Sequence, residues 1–365
     1  YKLNINFNST LYLEDKINMD WVKITDRYSQ MLEEHLKKYF AQINYETEQY
    51  HPFINRVYNN IAEYTLRKDK RLASTYTLIV YSGYKGAIDD AILSACSSIE
   101  LYRHSILLHD DLVDEEDLRR GGKVFHELFE EYDKKLGDKT AIFTGNIAFT
   151  LAIQKLSSSQ FEKSKVAKVV DILNESFLEI NESQILDLLF EYKNPDVKEW
   201  YIMASKRAAT LFRSTMLIGA VLGDAPKEDI PILVEAAENI GYSFDIQDDI
   251  IDTFASKDQY GRTPAGDIIK SKKPLHIIYA LEMADDETLK LLQNVGSSRK
   301  ISDKDLKSIQ QGITACGALD AAKERSRIHA ENARKLIEQV QITDETKEFF
   351  NSLLTFVTNS IDWYK

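Results

Sequence analysis

An all-α fold follows from three features of the 365-residue sequence. Its six prolines leave the stretch between Pro52 and Pro195 without one, and glycines are few, which excludes a turn-rich β fold. Apolar residues recur at spacings of three and four in segment after segment, the period of one helix face. No Gly/Ser-rich linker or shift in composition divides the chain, so residues 21–365 read as one domain.

The first twenty residues are the exception. Apolar and polar positions alternate there among Asn and Thr, predicting an extended N-terminal arm over 1–20. The segment "AIDDAILSACSSIELYRHSILLHDD" sets Ile88, Ile92, Ala95, Ile99, Tyr102 and Ile106 on one helical face. "VAKVVDILNESFLEINESQILDLLFEY" repeats the pattern and stops at Asn194-Pro195. "PDVKEWYIMASKRAATLFRSTMLIGAVLGDAP" then runs to Gly223 and Pro226, and "PILVEAAENIGYSFDIQDDIIDTF" follows. From Asp303 onward, two further amphipathic stretches lead to "NSIDWY" near the end of the sequence.

Composition is that of an ordinary globular protein, 44% hydrophobic and 28% charged. A net charge of −12 argues against nucleic acid as a partner. An acidic chain that handles an anion needs local arginine, lysine or metal. No run approaches the roughly 18 apolar residues of a membrane span, so no transmembrane segment is expected. The N-terminal residues lack the basic and apolar regions of a signal peptide, which leaves the Asn8-Ser9-Thr10 sequon without a role. Cys96 and Cys316 lie in small-residue helical surroundings; a reducing, cytoplasmic setting suits them better than a disulfide framework.

The chemistry lies in two acidic clusters. "LLHDDLVDEEDLRRGG" places Asp110, Asp111 and Asp114 within about a turn and a half, directly behind an apolar run. Like charges at i and i+4 cost an isolated helix about 0.2–0.5 kcal/mol per pair, so water or a cation must offset them. "FDIQDDIID" repeats the spacing with Asp248, Asp249 and Asp252, about 140 residues later. One such string can be a solvated face. Two, each inside a largely apolar helix, point to cations. All-oxygen donors suit Mg²⁺, which takes one or two carboxylates and completes its shell with water and substrate phosphates. Arg119 and Arg120 then fit a diphosphate, because guanidinium forks bind phosphate bidentately.

"DDLVDEEDLRRGG" resembles the first aspartate-rich motif of trans-isoprenyl diphosphate synthases, DDxxD followed by RRG, and "FDIQDDIID" resembles their second. "SQILDLL" is similar to the family's GQxxDL helix, "KRAATLF" to KTxxLF, "GRTPAGDIIKSKKPLHIIYAL" to GKxxGxDxxxGKxTL, and "KDKRLAS" to GGKRxRP. The resemblance runs from about Lys70 to Leu281, and more loosely into the C-terminal helices. It implies a helical bundle of the isoprenoid synthase type around a deep central cavity, a homodimer, and condensation of isopentenyl diphosphate with an allylic diphosphate. It also implies three magnesium ions, with Asp110, Asp111, Asp114, Asp187, Asp248, Asp249 and Asp252 as the metal-binding set and Asp252 acting mainly through hydrogen bonds. Arg119 and Lys272 would meet the allylic diphosphate, and Gln184 would bind substrate. Lys70, Arg71, Arg103 and Arg120 would bind isopentenyl diphosphate, and Arg207 would act at the reacting centre.

Several positions depart from the family pattern. Arg103 stands for a histidine, Ser183 for a glycine, Arg207 and Ala208 for Lys-Thr, Asp245 for glutamine and Arg262 for lysine. "KDKRLAS" lacks the glycines and the second arginine. Plainer readings stand beside these roles. Arg103 lies three residues after Glu100 and could form a helix ion pair. Lys70 and Arg71 continue the charged run Arg67-Lys68-Asp69, and Arg207 could be a solvated helix residue. His109 and His126 flank the first cluster and suit structural hydrogen bonds better than metal ligation.

Rival functions are weaker. A class I terpene cyclase shares the fold and the first motif, but not a second motif reading DDIID or the RRG. A di-iron bundle needs two Glu-x-x-His pairs, and "EQYH", Glu48 to His51, supplies one. For a non-catalytic subunit of a heteromeric synthase, two intact aspartate motifs argue against it while the altered basic positions keep it open. Product length should be set on the helix before Asp110. Ser105 is small and Ile106 medium-sized, so a farnesyl chain is not stopped there. Tyr102, roughly 12 Å below Asp110, is the next candidate floor, which predicts geranylgeranyl diphosphate or a somewhat longer product; in the plainer reading it only packs against another helix.

Overall fold

Helix α1 spans Phe7–Glu48, where the alternation predicts an extended arm over 1–20. The spacing conceals the reason: Leu13, Ile17 and Trp21 also fall at i, i+4 and i+8, a helical stripe. The structure, a computed structural model, describes residues 7–129, 131–255, 265–298 and 300–359. Residues 1–6 and Arg262 lie outside them.

Among the described residues, eight helices and a hairpin precede the second aspartate motif. Helix α2, Pro52–Leu66, starts with proline at its first position, where the missing N–H costs nothing. Helix α3 is Leu72–Lys85, and α4, Asp90–Val113, is capped by the Asp89 side chain accepting from Ile92 N. Strands β1 (Leu118–Arg119) and β2 (Gly122–Lys123) form a two-residue hairpin, followed by a 3₁₀ turn over Phe125–Phe129. Helices α5 (Lys134–Ser157), α6 (Lys163–Tyr192), α7 (Val197–Ser205) and α8 (Ala208–Leu222) come next. Continuous periodicity predicts one helix across α7 and α8. Instead the chain breaks at Lys206-Arg207, whose N–H groups reach Met203 O and Ala204 O in i→i+3 bonds.

Helix α9, Asp229–Phe254, carries the second motif. The short α10 (Gly266–Ile269) and helices α11 (Leu275–Met283), α12 (Asp286–Ser298), α13 (Asp303–Ala315), α14 (Ala318–Ile337) and α15 (Asp344–Asn359) complete the described chain.

The described residues fall into two compact units. One comprises Met19–Leu173 with Leu217–Ala225. In it, α4 packs along α5: Ser98 donates to Ala152 O, and the His109 ring meets α5 at Gly145 and donates to Ile142 O at 3.2 Å. His109 is therefore held as a structural donor. The other unit centres on Asn174–Met216 and the chain from Pro226 onward. There α9 packs along α14, with Ser243 and Ser326 hydroxyls 3.0 Å apart. Gly241 lets α9 approach α8, since a Cβ there would lie 2.5 Å from Ala209 Cα. Trp200, Met203, Ile246, Ile250, Leu275 and Ile309 build its core. Among the described residues, no helix is long and apolar enough to cross a membrane.

Candidate active site

Both aspartate motifs occupy the C-terminal ends of their helices. Asp110 and Asp111 are in the last turn of α4 and Asp114 is its C-cap; Asp248, Asp249 and Asp252 close α9. Neither last turn carries a basic residue. Unpaired carbonyls make a helix C-terminus negative, so carboxylates there repel backbone as well as one another. Each end is a site for external positive charge.

In the first cluster the three aspartates divide. Asp110 and Asp114 are half-buried, whereas Asp111 is fully buried. Tyr64 of α2 donates its hydroxyl to Asp111 Oδ2 at 2.5 Å, and Arg119 donates to Oδ1 from Nε and Nη2, both at 2.5 Å. Burial, followed by the Asp111 charge, pushes the Tyr64 phenol far up, so it stays a donor. The RRG triplet makes the hairpin tip: Arg120 at φ 51° and Gly121 at φ 77° take the left-handed pair that a two-residue hairpin turn requires. Glycine does this freely; an arginine there costs about 1–2 kcal/mol, strain that the surroundings must hold. Arg67 holds the hairpin, donating to Arg119 O and Lys123 O across the face of Gly122.

The basic residues before α3 separate just as sharply. Arg71 is buried at the start of α3, its Nη1 bonded to Glu100 Oε2 and Thr65 O, both at 3.0 Å. Ser74 donates to the other Glu100 oxygen. Glu100 thus serves Arg71 and Ser74, and Arg103 is half-buried one turn along. Lys70 sits 4.6 Å from the centre of the Trp21 ring; burial lowers its pKa, opposed by Asp26 and Asp69. Arg120 meets Asp69 at 2.5 Å and His104 Nε2 at 3.0 Å. His126 is buried, its Nε2 lying 3.7 Å from Glu127.

The second cluster forms around the break between α7 and α8, which turns Arg207 inward. Its guanidinium lies 2.8 Å from Asp245 and 3.5 Å from both Asp187 and Asp249. Lys272 adds a contact to Asp187 at 3.1 Å. Burial pushes the Asp249 carboxyl well up and Asp245 up, against Arg207. Burial would raise Asp187 too, but Lys272 and Arg207 outweigh it and hold it below the usual range. Asp248 is half-buried beside them. Asp252 accepts from Asp267 N at 3.0 Å and fixes the start of α10. Gln184 is half-buried on α6, one turn before Asp187, and the neighbouring Ser183 donates to Met203 O where the family has glycine.

A sequence model of the polyprenyl synthetase family matches residues 55–313. The chain belongs to the polyprenyl synthetase family. A short chain isoprenyl diphosphate synthase of Methanocaldococcus jannaschii is 29% identical over 271 residues, covering 74% of this chain and 80% of the relative. A geranylgeranyl pyrophosphate synthase of Geoglobus acetivorans is 30% identical, covering 78% and 85%. The solved structure of the Geoglobus acetivorans geranylgeranyl pyrophosphate synthetase superposes with TM-score 0.72 at 26% identity, covering 89% of this chain and 99% of that one. That of the Corynebacterium glutamicum geranylgeranyl pyrophosphate synthase, complexed with isoprenyl diphosphate and magnesium, gives TM-score 0.85 at 21% identity, covering 92% and 99%.

Against the polyprenyl synthetase pattern, two departures compensate each other. Arg207 and Asp245, each an exchange, form the tightest ion pair of the second cluster. On α4, Ser105 is buried and its hydroxyl donates to Tyr102 O at 2.7 Å; Ile106 is buried beside it. Tyr102 is fully buried with its ring 6.2 Å from that of Phe149 on α5. Tyr64, Arg67, Asp69 and His104 were not evident from spacing. The available signal is a polar stripe on a buried helix: Glu100, His104 and Asp111 lie at i, i+4 and i+11 of α4.

Proposed function

We propose that this prenyltransferase condenses isopentenyl diphosphate with an allylic diphosphate to give geranylgeranyl diphosphate or a somewhat longer trans-polyprenyl diphosphate. The observation that carries the reading is the placement of two DDxxD clusters at negative helix ends, each beside its own guanidinium. Magnesium takes one or two carboxylates and completes its shell with water and substrate phosphate, so the reading needs only a few carboxylates from each cluster. Asp110, Asp114, Asp248 and Asp249 are the proposed ligands. Bound there, magnesium would neutralise the allylic diphosphate as a leaving group.

The chain's own residues then have distinct tasks. Asp111, with both oxygens engaged, holds Arg119 toward the allylic diphosphate rather than binding metal, and Tyr64 holds Asp111. Asp252 fixes the α10 turn, which presents Lys272. Asp187 orients Lys272 and Arg207, the cations nearest the second cluster, with Gln184 beside them. Lys70, Arg103 and Arg120 receive isopentenyl diphosphate. Arg71 is a structural cation in this reading, because Glu100 and Thr65 enclose it. Ser105 is small and Ile106 medium-sized, so neither is the bulky side chain that would stop a chain at farnesyl; Tyr102, packed against Phe149, is the proposed floor.

The homodimer implied by the family is also part of the proposal. Phe143 and Ile142 on α5, 68% and 46% exposed, and Ile185 and Leu189 on α6, 67% and 48% exposed, supply apolar faces for a second copy. Light scattering should report a dimer; a monomer at enzymatic concentrations would remove this element. A cytoplasmic setting fits two free thiols, one of them buried. The test of the reaction is magnesium-dependent incorporation of isopentenyl diphosphate, with chromatography of dephosphorylated products.

A further inference from the structure

We propose that His104 is a positioning residue that aims Arg120 at the diphosphate of isopentenyl diphosphate, an inference that rests on the role given to Arg120 above. The hairpin places Arg120 in a left-handed conformation at an exposed tip, so the backbone alone does not fix its side chain. Two groups do. Asp69 Oδ2 lies 2.5 Å from Nη2, and His104 Nε2 lies 3.0 Å from Nη1.

The tautomer of His104 follows from its other contact. Nδ1 is 2.7 Å from the carbonyl oxygen of Glu100, which can only accept. Nδ1 therefore carries the hydrogen, and Nε2 presents a lone pair to the Arg120 N–H. Burial, then the charge of Arg120, pushes the imidazole pKa well below its ordinary value and keeps this form neutral. The Tyr64 ring packs edge-on against the imidazole at 5.8 Å and 85°, fixing its plane. The Glu100 carboxylate, 3.8 Å from Nδ1, is engaged by Arg71 and Ser74.

The two tethers act differently. Asp69 supplies countercharge about which a guanidinium can still turn. His104 supplies a second, uncharged anchor that fixes direction without cancelling the positive charge a diphosphate needs. A guanidinium has five N–H donors, so two anchored ones leave the others for the ligand.

Half-imidazole substitutions separate orientation from packing. His104→Asn retains a polar atom near the Nδ1 position but cannot reach Arg120; His104→Gln carries an acceptor to the Nε2 position. His104→Asn should raise the KM for isopentenyl diphosphate about tenfold, the scale of one hydrogen bond to a charged group. The KM for the allylic diphosphate should not move, and His104→Gln should recover most of the loss. Calorimetric titration of the metal-free protein with isopentenyl diphosphate should show the same order of affinities. Equal behaviour of the Asn and Gln variants, or parallel shifts in both KM values, would overturn the proposal. Arg120→Ala distinguishes the levels: if it leaves isopentenyl diphosphate binding intact, the role of Arg120 fails. If it abolishes binding while His104→Asn has no effect, only the positioning role fails.

Discussion

Replacing Arg71 by alanine should unfold this protein more readily without weakening its grip on isopentenyl diphosphate. The Arg71 and Glu100 side chains are 0% and 1% exposed and lie 3.0 Å apart, so removing the cation strands a buried carboxylate. Breaking a buried pair from one side costs about 3–5 kcal/mol. For a large domain this lowers the melting temperature by on the order of 10 °C. Arg71 Nε and Nη2 are buried with no partner among the described residues, so the pair is imperfectly satisfied. Exchanging both residues for apolar ones of similar volume, Arg71→Met with Glu100→Leu, should therefore recover much of the stability. The assay is circular dichroism during heating and in urea, with KM measured well below the transition. Near-normal stability combined with a large rise in the KM for isopentenyl diphosphate would refute the reasoning and return Arg71 to the substrate site.

Further outcomes follow from the same geometry. Arg103→Ala should raise the KM for isopentenyl diphosphate selectively, because Glu100 is already engaged by Arg71 and Ser74; an equal effect on the allylic substrate would contradict this. Ser105→Phe should shorten the products. Tyr102→Ala should lengthen them while destabilising by about 3–5 kcal/mol, as for other buried aromatic truncations; unchanged product lengths in both variants would remove α4 as the ruler. Arg207→Met should lower turnover by about 10²-fold, the loss of one aligned electrostatic group, yet lower the half-saturating magnesium concentration. That second sign follows because Arg207 competes for Asp249, one of the proposed ligands, and a higher magnesium requirement would contradict it. Burial raises the Asp249 pKa, so protons compete with magnesium as pH falls. The rise in melting temperature on adding magnesium should shrink from about pH 8 to about pH 5, and a pH-independent rise would argue against carboxylate ligation.

The helices were legible because their apolar period is strong and proline is rare. The break at Lys206-Arg207 was not: Trp200, Met203 and Ala204 before it and Ala209 and Phe212 after it keep nearly the same period. Yet that break is what turns Arg207 into the second cluster. The first twenty residues carried two compatible spacings, and alternation was the weaker one from Phe7 onward. Two DDxxD strings identified the chemistry, but spacing cannot say which aspartate faces inward. Asp111 does, and its partner Tyr64 lies 47 residues away. Arg71 shows the same limit: a basic run suggests an anion site, but its ion pair with Glu100 is visible only as a tertiary contact.

The central claim is tested most directly by giving the purified chain magnesium, labelled isopentenyl diphosphate and each allylic primer in turn, then resolving the dephosphorylated products. The account predicts label in geranylgeraniol or a somewhat longer linear alcohol, lost in Asp110→Ala and Asp248→Ala variants that remain folded. Cyclised hydrocarbon without incorporated label would make the protein a cyclase. No consumption of either substrate would make it a non-catalytic subunit.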